Sequence, residues 1–279
     1  MIESITRTTF QGLIISLTLA ICGGAQAANQ GFPMYQDADD VVGHCRYNGK
    51  PYDQRSILTV INQNRGGAKK KSGYLRLLRY YGANAEIREK MLLLTEYPSD
   101  VKGVAFLRWE YEPSSEIPVD QWLYMPSRQV LRRVSSRNDN DRFLGSVLTL
   151  GDIKTRSVDM DKHNIIATKP YRDGFIYTVE SIPKRSGEMY SKRVKQFKQN
   201  LRARRCVLEN VVYYDLRNKV LKKQYLTWRH INGIPVWKHV EIDNVQSKER
   251  STFRVDKVEM NVGIEDSVFS KRTMRRGLK

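Results

Sequence analysis

The sequence predicts a mainly β protein: one large, curved antiparallel sheet or incomplete barrel with one or two short helices across its mouth. Three observations carry this expectation. Between Val104 and Tyr111 the side chains alternate, with Ala105, Leu107, Trp109 and Tyr111 on one face and Arg108 and Glu110 on the other, the period-2 signature of a half-buried strand. Segments of this kind recur along the chain, separated by turn residues such as Pro98-Ser99-Asp100 and Asn232-Gly233. Around eleven such strands with very little helix imply a sheet that must curl to bury its inner face.

The elements follow in order. Residues 28–36 form a lead-in without pattern, and Asp37-Ala38-Asp39-Asp40 then supplies an N-cap and an acidic first turn for a short helix ending near Cys45. Strands are expected at 56–63, 74–81 and 87–95, the first two joined by a turn over 66–73. The sheet continues at 104–111, 121–125, 129–134 and 143–150, with polar loops at 112–120 and 135–142. Further strands are expected at 174–180, 207–214, 219–229, 235–243 and 251–260. Tyr190, Val194, Phe197 and Leu201 have the spacing of a helix stripe, but 190–197 is assigned here as a strand.

Three motifs stand in a fixed order in this chain: Pro98, Asp100, Lys102, Gly103 and Leu107; then Trp122, Leu123, Tyr124 and Pro126; then Phe143, Gly145, Ser146 and Asp152. With Tyr190-Ser191-Lys192, Tyr214-Asp215, Asn232-Gly233-Ile234-Pro235-Val236-Trp237, Thr252 and the run from Asn261 to Phe269, this set resembles the LolA-like outer-membrane lipoprotein-sorting proteins over nearly the whole mature chain. Where that family has Gly after its Tyr-Asp pair, this chain has Asn218, the next best residue for a left-handed position. The resemblance implies the LolA/LolB fold and a periplasmic carrier of lipid or lipoprotein acyl chains. It also implies an inner-membrane exporter of the resistance-nodulation-division (RND) class as a partner. A sensing or regulatory protein of the RseB/MucB type is the alternative on the same fold.

Residues 1–27 read as a cleavable signal peptide, with Arg7, an apolar run from Phe10 to Ile21, and Ala25-Gln26-Ala27 at the end. The apolar run is shorter than the ~20 residues that span a bilayer. Ile21 before Cys22 is not small, so lipid anchoring at Cys22 is the less favoured route. Export places residues 28–279 in the periplasm, as roughly 250 residues with no dividing linker, the size of a single domain. Two cysteines remain, Cys45 and Cys206; they either pair, in a compartment where disulfides persist, or are two buried thiols.

No catalytic pattern appears. His44, His163, His230 and His239 have no second ligand at metal spacing, and Ser146 lacks the flanking glycines of a nucleophile elbow. No glycine loop for a phosphate or dinucleotide is present, so neither enzyme activity nor a cofactor is expected. The formal net charge of +18 invites a polyanion partner, but export argues against nucleic acid and favours an anionic membrane surface or an acidic protein. The expected cavity lining is the alternating apolar face, Ala105, Leu107, Trp109 and Tyr111, with Trp122 and Tyr124 from the next strand.

Overall fold

The computed structural model describes residues 34–46, 50–82, 85–112, 115, 117–134 and 139–278. The signal segment expected at 1–27 lies outside them. Contacts divide the chain into Met1–Gln30 and a compact unit Gly31–Lys279, to which all the described residues belong.

That unit is a thirteen-stranded antiparallel sheet, curved and not closed into a barrel, with only two α-helices among the described residues. Helix α1 (Ala38–Arg46) precedes a meander of β1 (Asp53–Gln63), β2 (Lys69–Tyr80), β3 (Ile87–Tyr97), β4 (Ala105–Tyr111), β5 (Asp120–Met125) and β6 (Val130–Val134). After a long connection come β7 (Asp161–Tyr171), β8 (Gly174–Pro183), β9 (Lys192–Asn200), β10 (Arg205–Tyr214), β11 (Val220–Ile231), β12 (Ile234–Asn244) and β13 (Glu249–Met260). A short C-terminal helix α2 (Lys271–Arg276) ends the described chain. Within each meander sequence neighbours pair; β1 joins β13, so β6 and β7 are the two edges.

Local chemistry explains most of the elements. Asp37 Oδ1 accepts from Asp39 N at 2.6 Å and Asp40 N at 3.3 Å, capping α1. Asn232 and Gly233 both take positive φ, 49° and 82°, the geometry of a two-residue hairpin turn that matches strand twist. Asn218, at φ 59°, fills the left-handed position expected of it. Bulges in β7, β10, β11, β12 and β13 shift the register and help the sheet bend.

Three sequence expectations are corrected. Residues 143–150 are not a strand: Leu144 and Gly145 take φ 53° and 68°, breaking the extended run into a 3₁₀ turn, Phe143–Gly145, and a buried loop. The turn after β1 is shorter than 66–73, because β2 already begins at Lys69. Strand β7 was not expected; as an edge strand it contains Pro170 and leaves Ile166 exposed, so its alternation is weak. The stretch expected as strand at 190–197 is β9, starting at Lys192.

Both sheet faces are covered. On the inner face sit α1 and the connection between β6 and β7; the main core there joins Leu58, Val60, Leu93, Phe106, Phe143, Leu148, Val240, Ile242 and Phe253. Helix α1 buries Val41, Val42 and Cys45 against Tyr177, Phe197 and Cys206. The outer face carries the C-terminal segment.

Cys45 and Cys206 form a disulfide, with Cα atoms 4.7 Å apart, that ties α1 to β10 across 161 positions of sequence. Chain entropy assigns a closed loop of that order about 5 kcal/mol of stabilisation. Urea unfolding of Cys45→Ser should therefore show a loss of a few kcal/mol, with Cys45→Ser/Cys206→Ser no worse than either single variant. Two titratable thiols in the native protein would contradict the pairing.

Candidate functional site

The inner face holds two cavities of ligand size. The larger, about 460 Å³, is walled by residues that include Tyr74, Leu93, Phe106, Leu123, Phe143 and Leu150, with Lys70, Arg132 and Arg142 among its charged residues. The second, about 300 Å³, is walled by residues that include Leu58, Leu78, Met91, Leu148, Trp228 and Phe253, and again by Phe143. Phe143 thus borders both. Its ring stacks on Phe253 at 6.3 Å and meets Phe106 edge-on at 5.8 Å.

Phe143 belongs to the connection that fills the space between the cavities, and the third sequence motif is what fastens it. Asp152 accepts from Thr149 N at 2.9 Å, from Tyr190 Oη at 2.7 Å and from Lys222 Nζ at 2.8 Å. Its carboxylate is fully buried and the Lys222 side chain nearly so, so the pair exists only because hydrogen bonds complete each partner. Burial, first, and then the Asp152 charge push the Tyr190 phenol far above its ordinary value. Ser146 Oγ accepts from Leu148 N at 3.1 Å, Ser251 Oγ accepts from Val147 N at 2.9 Å, and Arg142 forks onto Glu249 at 2.9 and 2.6 Å. Ser146 and Asp152 of this motif thus fasten the connection that carries Phe143.

None of the six residues expected to line a cavity borders either of these two. Ala105, Leu107 and Trp122, with Trp109 and Tyr124 beside them, pack with Leu92, Leu94, Phe269 and Met274 on the outer face, beneath the C-terminal segment. Trp109 Nε1 donates to Phe269 O at 3.1 Å, Trp109 and Trp122 meet edge-on at 5.1 Å, and Lys271 Nζ lies 4.8 Å from the Trp122 ring. Tyr111 Oη donates to Asp120 at 2.9 Å. The Asn261-to-Phe269 motif anchors this cover: Asp53 accepts from Val262, Gly263 and Ile264 N at 2.8, 3.0 and 3.1 Å.

The residues that do reach the second cavity are their strand neighbours. Arg108 and Glu110 of β4 line it with Arg76 of β2. Arg108 Nη2 lies 2.9 Å from Glu110 Oε1 with both side chains 4 % exposed. Burial opposes the Glu110 charge, but Arg108 and the Thr155 N–H prevail and hold its carboxyl below the ordinary value. Sequence reasoning assigned these residues to a wet face because they are charged. A signal that could have placed them inside is the recurrence of polar residues on the same face of β1, β2 and β4, at Gln54 and Ser56, Arg76, and Arg108 and Glu110.

Of the histidines, His163 is fixed by Ser181 Oγ at 2.7 Å and Val158 O at 3.1 Å, and burial lowers its ring pKa. Among the described residues no three His, Cys, Asp or Glu are placed to share a metal ion. No described helix is long and apolar enough to cross a membrane.

Asp152→Asn would strand the Lys222 ammonium in the core, so it should lower unfolding free energy by about 3–5 kcal/mol. Tyr190→Phe, which removes the hydrogen bond to Asp152 and the one from Lys222 but leaves their ion pair in place, should cost less. Denaturant titration of both variants checks the order; an Asp152→Asn loss below that of Tyr190→Phe would contradict the fastening role.

Comparison with known proteins places this architecture. No curated protein matches the chain. A DUF1329 family protein from Desulfovibrio piger superposes with a TM-score of 0.75 at 20% identity, covering 85% of this chain and 97% of that one. A putative outer membrane lipoprotein-sorting protein domain from Vibrio parahaemolyticus gives 0.74 at 19% identity, over 86% and 98%. A LolA superfamily protein from Nitrosomonas europaea gives 0.60 at 17% identity, over 84% and 98%. Likeness to MucB is distant, with a TM-score of 0.33. A family model described as "-like: Uncharacterized protein" matches residues 88–276. The chain belongs to the family of that model, and its fold is that of the LolA-like outer-membrane lipoprotein-sorting proteins.

Proposed function

We propose that this protein is an exported, periplasmic carrier that holds the acyl chains of a lipid or lipoprotein against the inner face of its sheet. The observation that carries the reading is the pair of apolar cavities meeting at Phe143. The mechanism is reversible burial without bond chemistry, at about 0.8 kcal/mol per CH₂ removed from water. The Cys45–Cys206 disulfide suits an oxidising compartment, and the expected signal peptide supports the same location. Ala105, Leu107, Trp109, Trp122 and Tyr124 serve the site indirectly, by seating the C-terminal cover that keeps the sheet's other face dry. Transfer to or from an exporter of the RND class, and docking on an anionic membrane, rest on the family resemblance and on the net charge of +18.

Neutral brominated monoacylglycerols of increasing length test the reading by quenching tryptophan. Trp228 and Trp237 line the second cavity, whereas Trp109 and Trp122 lie under the C-terminal cover. Quenching should survive Trp109→Phe/Trp122→Phe and fade in Trp228→Phe/Trp237→Phe. Affinity should rise about fourfold per added CH₂ until the cavity is filled. Binding indifferent to chain length would overturn the carrier reading.

A further inference from the structure

The second cavity is apolar along most of its wall but cationic at one end. Lys50, Arg76 and Arg108 stand there against Glu89 and Glu110, three positive charges to two negative. The pairing among them is uneven. Lys50 Nζ lies 3.3 Å from Glu89 Oε2, and Arg108 Nη2 lies 2.9 Å from Glu110 Oε1. Arg76 is only 7 % exposed, yet among the described residues it has no carboxylate at ion-pair distance; its Nε donates to Ser56 Oγ at 3.0 Å. Arg108 is 3 % exposed, and its buried Nε has no hydrogen-bond partner. A guanidinium taken out of water without a counter-charge at contact distance is costly; Arg76 is in that position, the Arg108 fork is only partly satisfied by Glu110, and both face a cavity with room for a ligand.

The position of this end fits an amphiphile. Lys50, Pro51 and Tyr80 are shared with a third cavity of about 260 Å³, which is also lined by Tyr52 and Tyr81. Tyr52 is 81 % exposed and the Lys50 side chain 36 %, so the Lys50 side of the cluster adjoins solvent. Leu148, Trp228, Val236 and Phe253 are among the apolar walls of the second cavity.

We infer that the second cavity selects an amphiphile with a single compact anionic head, a carboxylate or a phosphate monoester, seated on Arg76 and Arg108 with its alkyl chain along the apolar wall. Guanidinium forks match the geometry of both oxyanions. The one residual positive charge of the cluster is what a monoanionic head neutralises. This inference rests on the carrier reading and adds a head-group requirement to it.

The test compares dodecanoate, dodecyl phosphate and the neutral monolaurin, all with a twelve-carbon chain, by calorimetry on the purified mature protein. The wild type should bind at least one of the anions about tenfold more tightly than monolaurin, the effect of one charge-assisted hydrogen-bond set. Which anion is preferred separates a free fatty acid from a phosphorylated lipid. Arg76→Gln should bring the ratio close to one, and Arg76→Lys should restore part of it. Arg108→Gln/Glu110→Gln removes both members of the neighbouring pair together, keeping the cavity free of a stranded carboxylate, and should reduce the ratio too. Equal affinity of the wild type for all three ligands overturns the head-group inference and leaves the carrier reading standing; so does an unchanged ratio in Arg76→Gln. Absence of binding by all three overturns both. If Arg76→Gln fails to fold, the wild-type ratio and the paired variant decide.

Discussion

The strand order imposes one constraint from which the site follows: β6 and β7, consecutive in sequence, lie at opposite edges of the sheet. The connection between them, described over residues 139–160, must therefore reach from one edge to the other. Thirteen strands at about 4.8 Å spacing make a sheet roughly 60 Å wide if flat, and an extended connection of this length reaches about 85 Å. It can cross the sheet once, with little slack for a fold of its own. Because it carries Phe143, Val147, Leu148 and Leu150, all buried, it crosses along the apolar inner face and becomes part of the core.

A crossing segment that filled the inner face completely would leave no site. What prevents collapse is that the segment is held at defined points rather than simply packed. The Asp152–Lys222 pair with Tyr190, the Ser251 hydroxyl and the Arg142–Glu249 fork each fix one stretch of it. Cavities remain on both sides of Phe143. The cost of burying Asp152 and Lys222 is offset by their ion pair and by the hydrogen bonds of Thr149 N and the Tyr190 hydroxyl, so the arrangement favours one placement of the segment over near alternatives.

Strands were legible in the sequence wherever one alternation dominated, as in β4, and turns wherever a residue type was required by its φ, as at Asn218, Asn232 and Gly233. The direction of the faces was not. Alternation in 104–111 separates Ala105, Leu107 and Trp109 from Arg108 and Glu110, but it does not say which set meets solvent when both are buried. Here the C-terminal segment covers the apolar set, and the charged set lines a cavity. The run 143–150 was unreadable for a related reason: a short apolar stretch looks alike as a strand and as a buried loop, and the left-handed residues that break it are Leu144 as well as Gly145. Pairing of Cys45 with Cys206 was open in the sequence because their approach depends on α1 lying on the inner face beside β10.

The proposed carrier role puts ligand on the inner face beside Phe143. Photo-crosslinking with a diazirine-bearing palmitoyl lipid, followed by peptide mass spectrometry, tests this without mutation. Adducts are expected on Leu78, Met91, Phe143, Leu148 or Phe253. Adducts concentrated on Leu107, Trp109, Trp122 or Met274, beneath the C-terminal cover, would contradict it.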